Sequence, residues 1–258
     1  MRIVSLCPSL TELVFDLGLG DELVGRTKFC IHPAGRVDAI EKVGGTKNPK
    51  VDRIIALAPD VVLLNAEENR REDADALETA GITCHVSFPK TALETATMVR
   101  SIAEAVHAEA EGDRIARDIE TRHDRVVRAA TDRDVVRFAY LIWRDPWMTV
   151  NADTFVSALL TDAGGRNMFA ERSDRYPTIT AVELRTAEPD VVLLSTEPFP
   201  FKPAHAEELS AASGIARERF QVVDGELLSW HGSRTPAGID YAEQVIEQAR
   251  VPRRWQSA

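Results

Sequence analysis

The 258-residue chain is poor in cysteine, with only Cys7, Cys30 and Cys84. That excludes a disulfide scaffold, and an odd count points towards a reducing compartment. No stretch approaches the ~18 consecutive apolar residues of a membrane span. A basic patch is also missing. The 31 Lys and Arg are outnumbered by 41 Asp and Glu, giving a formal net charge of −10 spread along the chain. A field of that sign repels DNA or RNA and reads first as a solubility feature. The opening Met1-Arg2-Ile3-Val4-Ser5-Leu6 has no basic n-region, apolar h-region or small-residue cleavage site, and already reads as a strand. The expected location is therefore cytoplasmic, with the periplasm or cell surface as the alternative if the chain was trimmed to a mature start. Catalytic signatures are absent too. There is no G-x-S-x-G elbow, P-loop, H-E-x-x-H or helix-opening GxGxxG, so the chain is expected not to be an enzyme.

What is present is an internal repeat. Leu57-Ala58-Pro59-Asp60-Val61-Val62-Leu63-Leu64 recurs as Thr186-Ala187-Glu188-Pro189-Asp190-Val191-Val192-Leu193-Leu194. Each copy turns on Pro-Asp and then runs four apolar residues, the pattern of a parallel strand buried on both faces. Strands at Arg2–Leu6, Val61–Leu64 and Thr83–Val86 alternate with helices at Ser9–Leu17, Val51–Leu57 and Arg70–Ala80, and the second half repeats this grammar from Arg137 onward. Ser9 with Glu12 reads as a capping box at the first helix. Between the halves, Thr91–Arg133 has helical periodicity only, interrupted at Gly112. The expected fold is α/β, two lobes with mainly parallel sheets joined by a single long rigid helix. Its segments are an N-terminal lobe over 1–90, a helical spacer over 91–134 and a C-terminal lobe over 135–258. A helical subdomain is the alternative reading of the spacer.

These features resemble the helical-backbone substrate-binding proteins of ABC importers, the class that binds vitamin B12, iron–siderophores and haem. The resemblance rests on the Arg2–Leu13 opening, Val43-Gly44-Gly45-Thr46, Pro59-Asp60-Val61-Val62 and Gly164-Gly165-Arg166-Asn167-Met168-Phe169. It covers nearly the whole chain and is nearest the cobalamin-binding, helical-backbone metal-receptor branch. It implies a monomeric carrier that holds cobalamin first, then iron–siderophore or haem, in a cleft between the lobes, with no catalytic cofactor. It also implies docking on an importer permease through outer acidic residues, for which Glu72 and Glu207 are the positional candidates. Two departures stand out: family members that serve importers are exported, and the cleft segments Phe29–Pro33, Trp143–Thr149 and Ser229–Arg234 are distinctive.

In α/β lobes ligands bind beyond the carboxyl ends of the strands. The loops there supply Cys7, Phe29, Cys30, His32, Glu67, Glu68, Phe88, Trp143, Arg144, Trp147, Glu197, Trp230, His231 and Arg234 as candidate ligand contacts. Three tryptophans in such loops would wall a flat, largely apolar macrocycle. Each could instead simply pack its lobe. Arg144 and Arg234 would pair with propionate, phosphate or carboxamide groups, or with protein carboxylates. Cys30 and His32, two residues apart, would point the same way in an extended segment and are metal-ligand candidates. His231, next to Gly232, is a candidate axial ligand or hydrogen-bonding group. The alternative function is a cytoplasmic enzyme or cofactor-delivering sensor using Cys30 and His231.

Overall fold

The protein is described by a computed structural model covering residues 1–250. The last eight residues of the expected 135–258 segment lie outside that range. The chain divides into two compact units. Unit 1 contains residues 1–89, 93–120 and the short segment His231–Arg234; unit 2 contains the rest.

Unit 1 is built on β1 (Ile3–Ser5), α1 (Pro8–Asp16), β2 (Leu23–Arg26), β3 (Glu41–Lys42), α2 (Val51–Ala56), β4 (Val61–Asn65), α3 (Arg71–Thr79) and β5 (Thr83–Ser87). Its sheet has the order β3-β2-β1-β4-β5, and every pairing is parallel. All five residues of β4 are buried, as its apolar run requires of a central parallel strand. Two helices follow, α4 (Ala92–Ala105) and α5 (Glu109–Ala130). The 22 residues of α5 correspond to roughly 33 Å of helix. Its residues up to Glu120 belong to unit 1 and those from Thr121 to unit 2.

Unit 2 contains β6 (Val136–Trp143), β7 (Met148–Thr149), α6 (Phe155–Asp162), β8 (Gly165–Asn167), α7 (Ala181–Thr186), β9 (Val191–Ser195), α8 (Pro203–Ser213), β10 (Phe220–Val223), α9 (Gly225–Ser229) and α10 (Thr235–Arg250). The sheet runs β10-β9-β6-β7, with β8 also paired to β6. Among the described strands of this sheet, β6–β7 is the antiparallel pairing and the others are parallel. The two-lobed, mainly parallel α/β fold is as expected.

The repeated Pro-Asp acts as a register clamp. In unit 1 the Asp60 carboxylate accepts the Arg2 amide at 2.7 Å, while the Asp60 amide donates to the Arg2 carbonyl at 2.8 Å. In unit 2 Asp190 makes the same two bonds with Arg137, each at 2.8 Å. Both clamps sit one residue before the first ladder pair, Ile3 with Val61 and Phe138 with Val191. The residues before the two prolines, Ala58 and Glu188, adopt left-handed φ values of 46° and 49°. Proline disfavours the right-handed helical region for its predecessor, so each helix ends there and the chain turns into the strand.

Two local expectations differ from the structure, and three short strands carry no sequence signal. The N-cap of α1 is Cys7, with Pro8 in the first turn, and no side chain caps the helix. Ser9 and Glu12 have tertiary partners instead. The α4–α5 break falls at His107, which has φ 60°, not at Gly112. Gly112 lies inside α5, where a Cβ would meet the Ala103 Cβ at 2.2 Å; the glycine permits the close crossing of α4 and α5. Finally β3, β7 and β8 are too short to show a periodic pattern.

Candidate functional site

In unit 1 the carboxyl ends of β1, β4 and β5 present Cys7, Asn65–Glu68 and Phe88. Phe88 is 41% exposed, and Phe29, in the loop after β2, is 50% exposed. Both offer apolar surface to solvent. Lys28 Nζ stands 4.9 Å from the Phe29 ring centroid. Cys7 and Cys30 face inward and are buried. Cys30 Sγ contacts Thr11 Oγ1 at 3.0 Å and Thr27 Oγ1 at 3.1 Å. Burial pushes the Cys7 thiol up to about 12 and raises that of Cys30, so both stay protonated and unreactive at neutral pH. Cys30 and His32 do not share an extended face: Cys30 is wholly buried and His32 half-buried in a loop. Among the described residues, no three His, Cys, Asp or Glu side chains are grouped to hold a metal ion.

The Asn65–Glu68 turn is held by its own side chains. Asn65 Oδ1 accepts the amides of Glu67 at 2.9 Å and Glu68 at 3.2 Å. Asn69 Oδ1 takes the Asn65 amide, and its Nδ2 donates to the carbonyls of Leu6 and Thr46. Lys47 Nζ donates to the Glu67 carbonyl at 2.5 Å. Desolvation raises the Glu68 carboxyl above the usual carboxylate range, with Lys47 partly offsetting it.

His231 and Arg234 are in unit 1 with this turn. His231 is 8% exposed and has both ring nitrogens engaged, Nε2 by Asn65 Nδ2 at 2.9 Å and Nδ1 near Ser9 Oγ at 3.5 Å. Of the two roles read for it, hydrogen bonding is the one this geometry supplies. Arg234 makes a bidentate pair with Glu12, two bonds of 2.8 Å, so its fork is taken by a protein carboxylate.

Unit 2 places an aromatic cluster at the carboxyl ends of β6 and β9. Trp143, 40% exposed, stands edge-on to Phe199 with centroids 5.7 Å apart. Trp147 stacks on Phe201 at 6.1 Å and 12°. Phe199 and Phe201 meet at 4.8 Å, and the His205 ring packs on both. The Lys202 amide donates to His205 Nδ1 at 2.9 Å, which leaves the neutral ring's hydrogen on Nε2. Arg144 pairs with Glu208 at 2.8 Å and lies 6.0 Å from the Trp147 ring centroid. Glu208 is thereby held below the usual carboxylate range. Trp230 Nε1 donates to Glu197 Oε2 at 2.8 Å. Beneath this layer the buried Tyr140 hydroxyl donates to Ser195 Oγ at 2.9 Å, which in turn donates to the Glu197 carbonyl.

Sequence reading brought Trp143, Arg144 and Trp147 into a loop at one end of the sheet, but it missed His205 and Glu208. Those two lie on α8, three and six residues after Lys202, and the only local sign of them is the aromatic Phe199-Pro200-Phe201 immediately upstream.

A vitamin B12-binding protein of Vibrio campbellii is 29% identical over 252 residues, spanning 98% of this chain and 91% of that one. The periplasmic vitamin B12-binding protein BtuF of Vibrio cholerae superposes with TM-score 0.84 at 21% identity, covering 97% of this chain and 98% of that one. The periplasmic heme-binding protein RhuT of Roseiflexus sp. RS-1 does so with TM-score 0.83 at 22% identity, covering 96% and 98%. At these identities the two structures share the fold. The periplasmic binding protein family model matches residues 3–237, so the chain belongs to that family, and the expected cytoplasmic location is corrected accordingly.

Proposed function

We propose that this protein is a periplasmic carrier that binds a tetrapyrrole-type or metal-chelate small molecule, cobalamin first, and delivers it to an ABC importer. The carrying observation is the relationship to a vitamin B12-binding protein along 98% of the chain. The unit 2 cluster supports it. Trp143, Trp147 and Phe199, backed by the buried Phe201, make an aromatic surface with Arg144, Glu197 and Trp230 as polar rim, the composition that grips a large, partly apolar ligand. In unit 1, Phe29, Phe88, Glu67 and Glu68 form the corresponding face, with Cys7, Cys30, His231 and Arg234 behind it as support. His32 sits at its edge.

The protein binds without turnover. Its buried, protonated thiols and the hydrogen-bonded His231 ring support this reading over a Cys30–His231 nucleophile and base. Docking on the permease runs through Glu72 and Glu207. Both are exposed, and each lies on the helix that follows a repeated strand, α3 after β4 and α8 after β9. The carrier acts as a monomer.

Cyanocobalamin, haemin and a ferric siderophore are each incubated with the purified protein, gel-filtered and read by visible absorbance. One of them co-elutes stoichiometrically, and Trp147→Ala weakens that binding about tenfold by loss of a stacked anchor. If none co-elutes and none raises the melting temperature, the proposal fails.

A further inference from the structure

We propose that His231 is a positioning residue for the ligand-facing turn of unit 1. It acts through Asn65 and does not touch the ligand. This rests on the functional reading above only in taking that turn to face a ligand.

The hydrogen-bond pattern assigns the atoms. Asn65 Oδ1 is committed to the Glu67 and Glu68 amides, so its Nδ2 is the group that faces His231 Nε2 at 2.9 Å. An amide nitrogen only donates, so Nε2 accepts and the ring hydrogen is on Nδ1, beside Ser9 Oγ. One neutral tautomer therefore fixes the orientation of the Asn65 amide. That orientation holds the amides of Glu67 and Glu68, and with them the carboxylates that unit 1 presents.

The segment carrying His231 is anchored in unit 1 independently. Gly232 has φ +110°, a conformation that L side chains rarely adopt, and passes over Ser9 and Leu13 of α1. Two residues on, Arg234 is locked to Glu12 of α1. His231 is thus held beside Asn65 by the contacts of its own short segment with α1. The charged and titratable groups around it are Cys7 before α1, the Glu12–Arg234 pair, Glu67 and Glu68 on the turn, and Lys47 bound to the Glu67 carbonyl. A second proton, on Nε2, would oppose the Asn65 Nδ2 donor. Turning the Asn65 amide to relieve that would aim Nδ2 at the Glu67 and Glu68 amides and leave the turn without its acceptor.

The test uses the full chain with His231→Ala, His231→Gln, Asn65→Ala and the His231→Ala/Asn65→Ala double variant. Affinity for cyanocobalamin and for haemin is read by calorimetry at neutral pH, and exchange of the Glu67 and Glu68 amides is read by NMR without ligand. His231→Ala is expected to weaken binding about tenfold, the scale of one or two lost ordering hydrogen bonds. It should also speed exchange at those two amides. His231→Gln, whose side-chain oxygen accepts near the Nε2 position, should recover both. The double variant should be no weaker than Asn65→Ala alone. Unchanged amide exchange in His231→Ala, or full additivity in the double variant, overturns the proposal. If the wild type binds neither compound nor a ferric siderophore, the functional reading falls and amide exchange still decides the role of His231. Should His231→Ala not fold, Asn65→Ala and His231→Gln carry the same comparison.

Discussion

His231 makes a quantitative prediction about acid stability. Desolvation lowers its pKa from 6.5 to about 4, because burial penalises the charged imidazolium. The unfolded chain then binds the proton first, and stability falls as pH drops from the unfolded value towards the folded one. Above pH ~7.5 the group contributes nothing to the pH dependence. Each pKa unit corresponds to about 1.4 kcal/mol, so the full loss is about 3 kcal/mol by pH 4, and about 2 kcal/mol is already lost at pH 5. Glu68 works in the opposite direction. Its carboxyl is raised on folding, so it favours the folded state in acid and loses that contribution as pH rises through its folded pKa. Subtraction separates the two. Urea unfolding of the wild type and His231→Gln is measured at intervals from pH 7.5 to 5. The wild type is expected to lose about 2 kcal/mol more than the variant across that range. Parallel stability curves would show that His231 is not buried neutral, and the tautomer argument would go with it.

The clamp and the helix crossing are open to similar tests. Asp190 holds both the Arg137 amide and its guanidinium, whereas Asp60 holds only the Arg2 amide among its side-chain bonds. Asp190→Ala should therefore cost about 2 kcal/mol and Asp60→Ala about 1 kcal/mol in urea unfolding. Equal effects would mean that the Arg137 guanidinium adds nothing at its half-buried position. Gly112→Ala should lower stability by about 1–3 kcal/mol through overpacking against Ala103. Combining it with Ala103→Gly should return part of the loss in thermal denaturation, and no recovery would place the strain elsewhere.

The chain's own pattern determined the two α/β units and their order. Val61–Leu64 and Val191–Leu194 are apolar on both faces, which only a covered parallel strand satisfies, and the Pro-Asp before each makes its clamp with the adjacent strand. Both signals are local, so they survive in the linear sequence. The long helix was legible for the same reason, through its 3.6-residue periodicity. What tertiary structure alone decided are partnerships between distant residues: Asn65 with His231 across 166 positions, Glu12 with Arg234 across 222, and the gathering of Trp143, Phe199 and His205. Ser9 and Glu12 show the limit clearly. Their spacing is that of a capping box, but with Pro8 in the first turn the N-cap is Cys7, two residues earlier, and both side chains are turned to the His231–Arg234 segment. Periodicity records which face of an element is buried. Which polar group meets which is settled only when the sheet order brings distant loops to the same end of the strands.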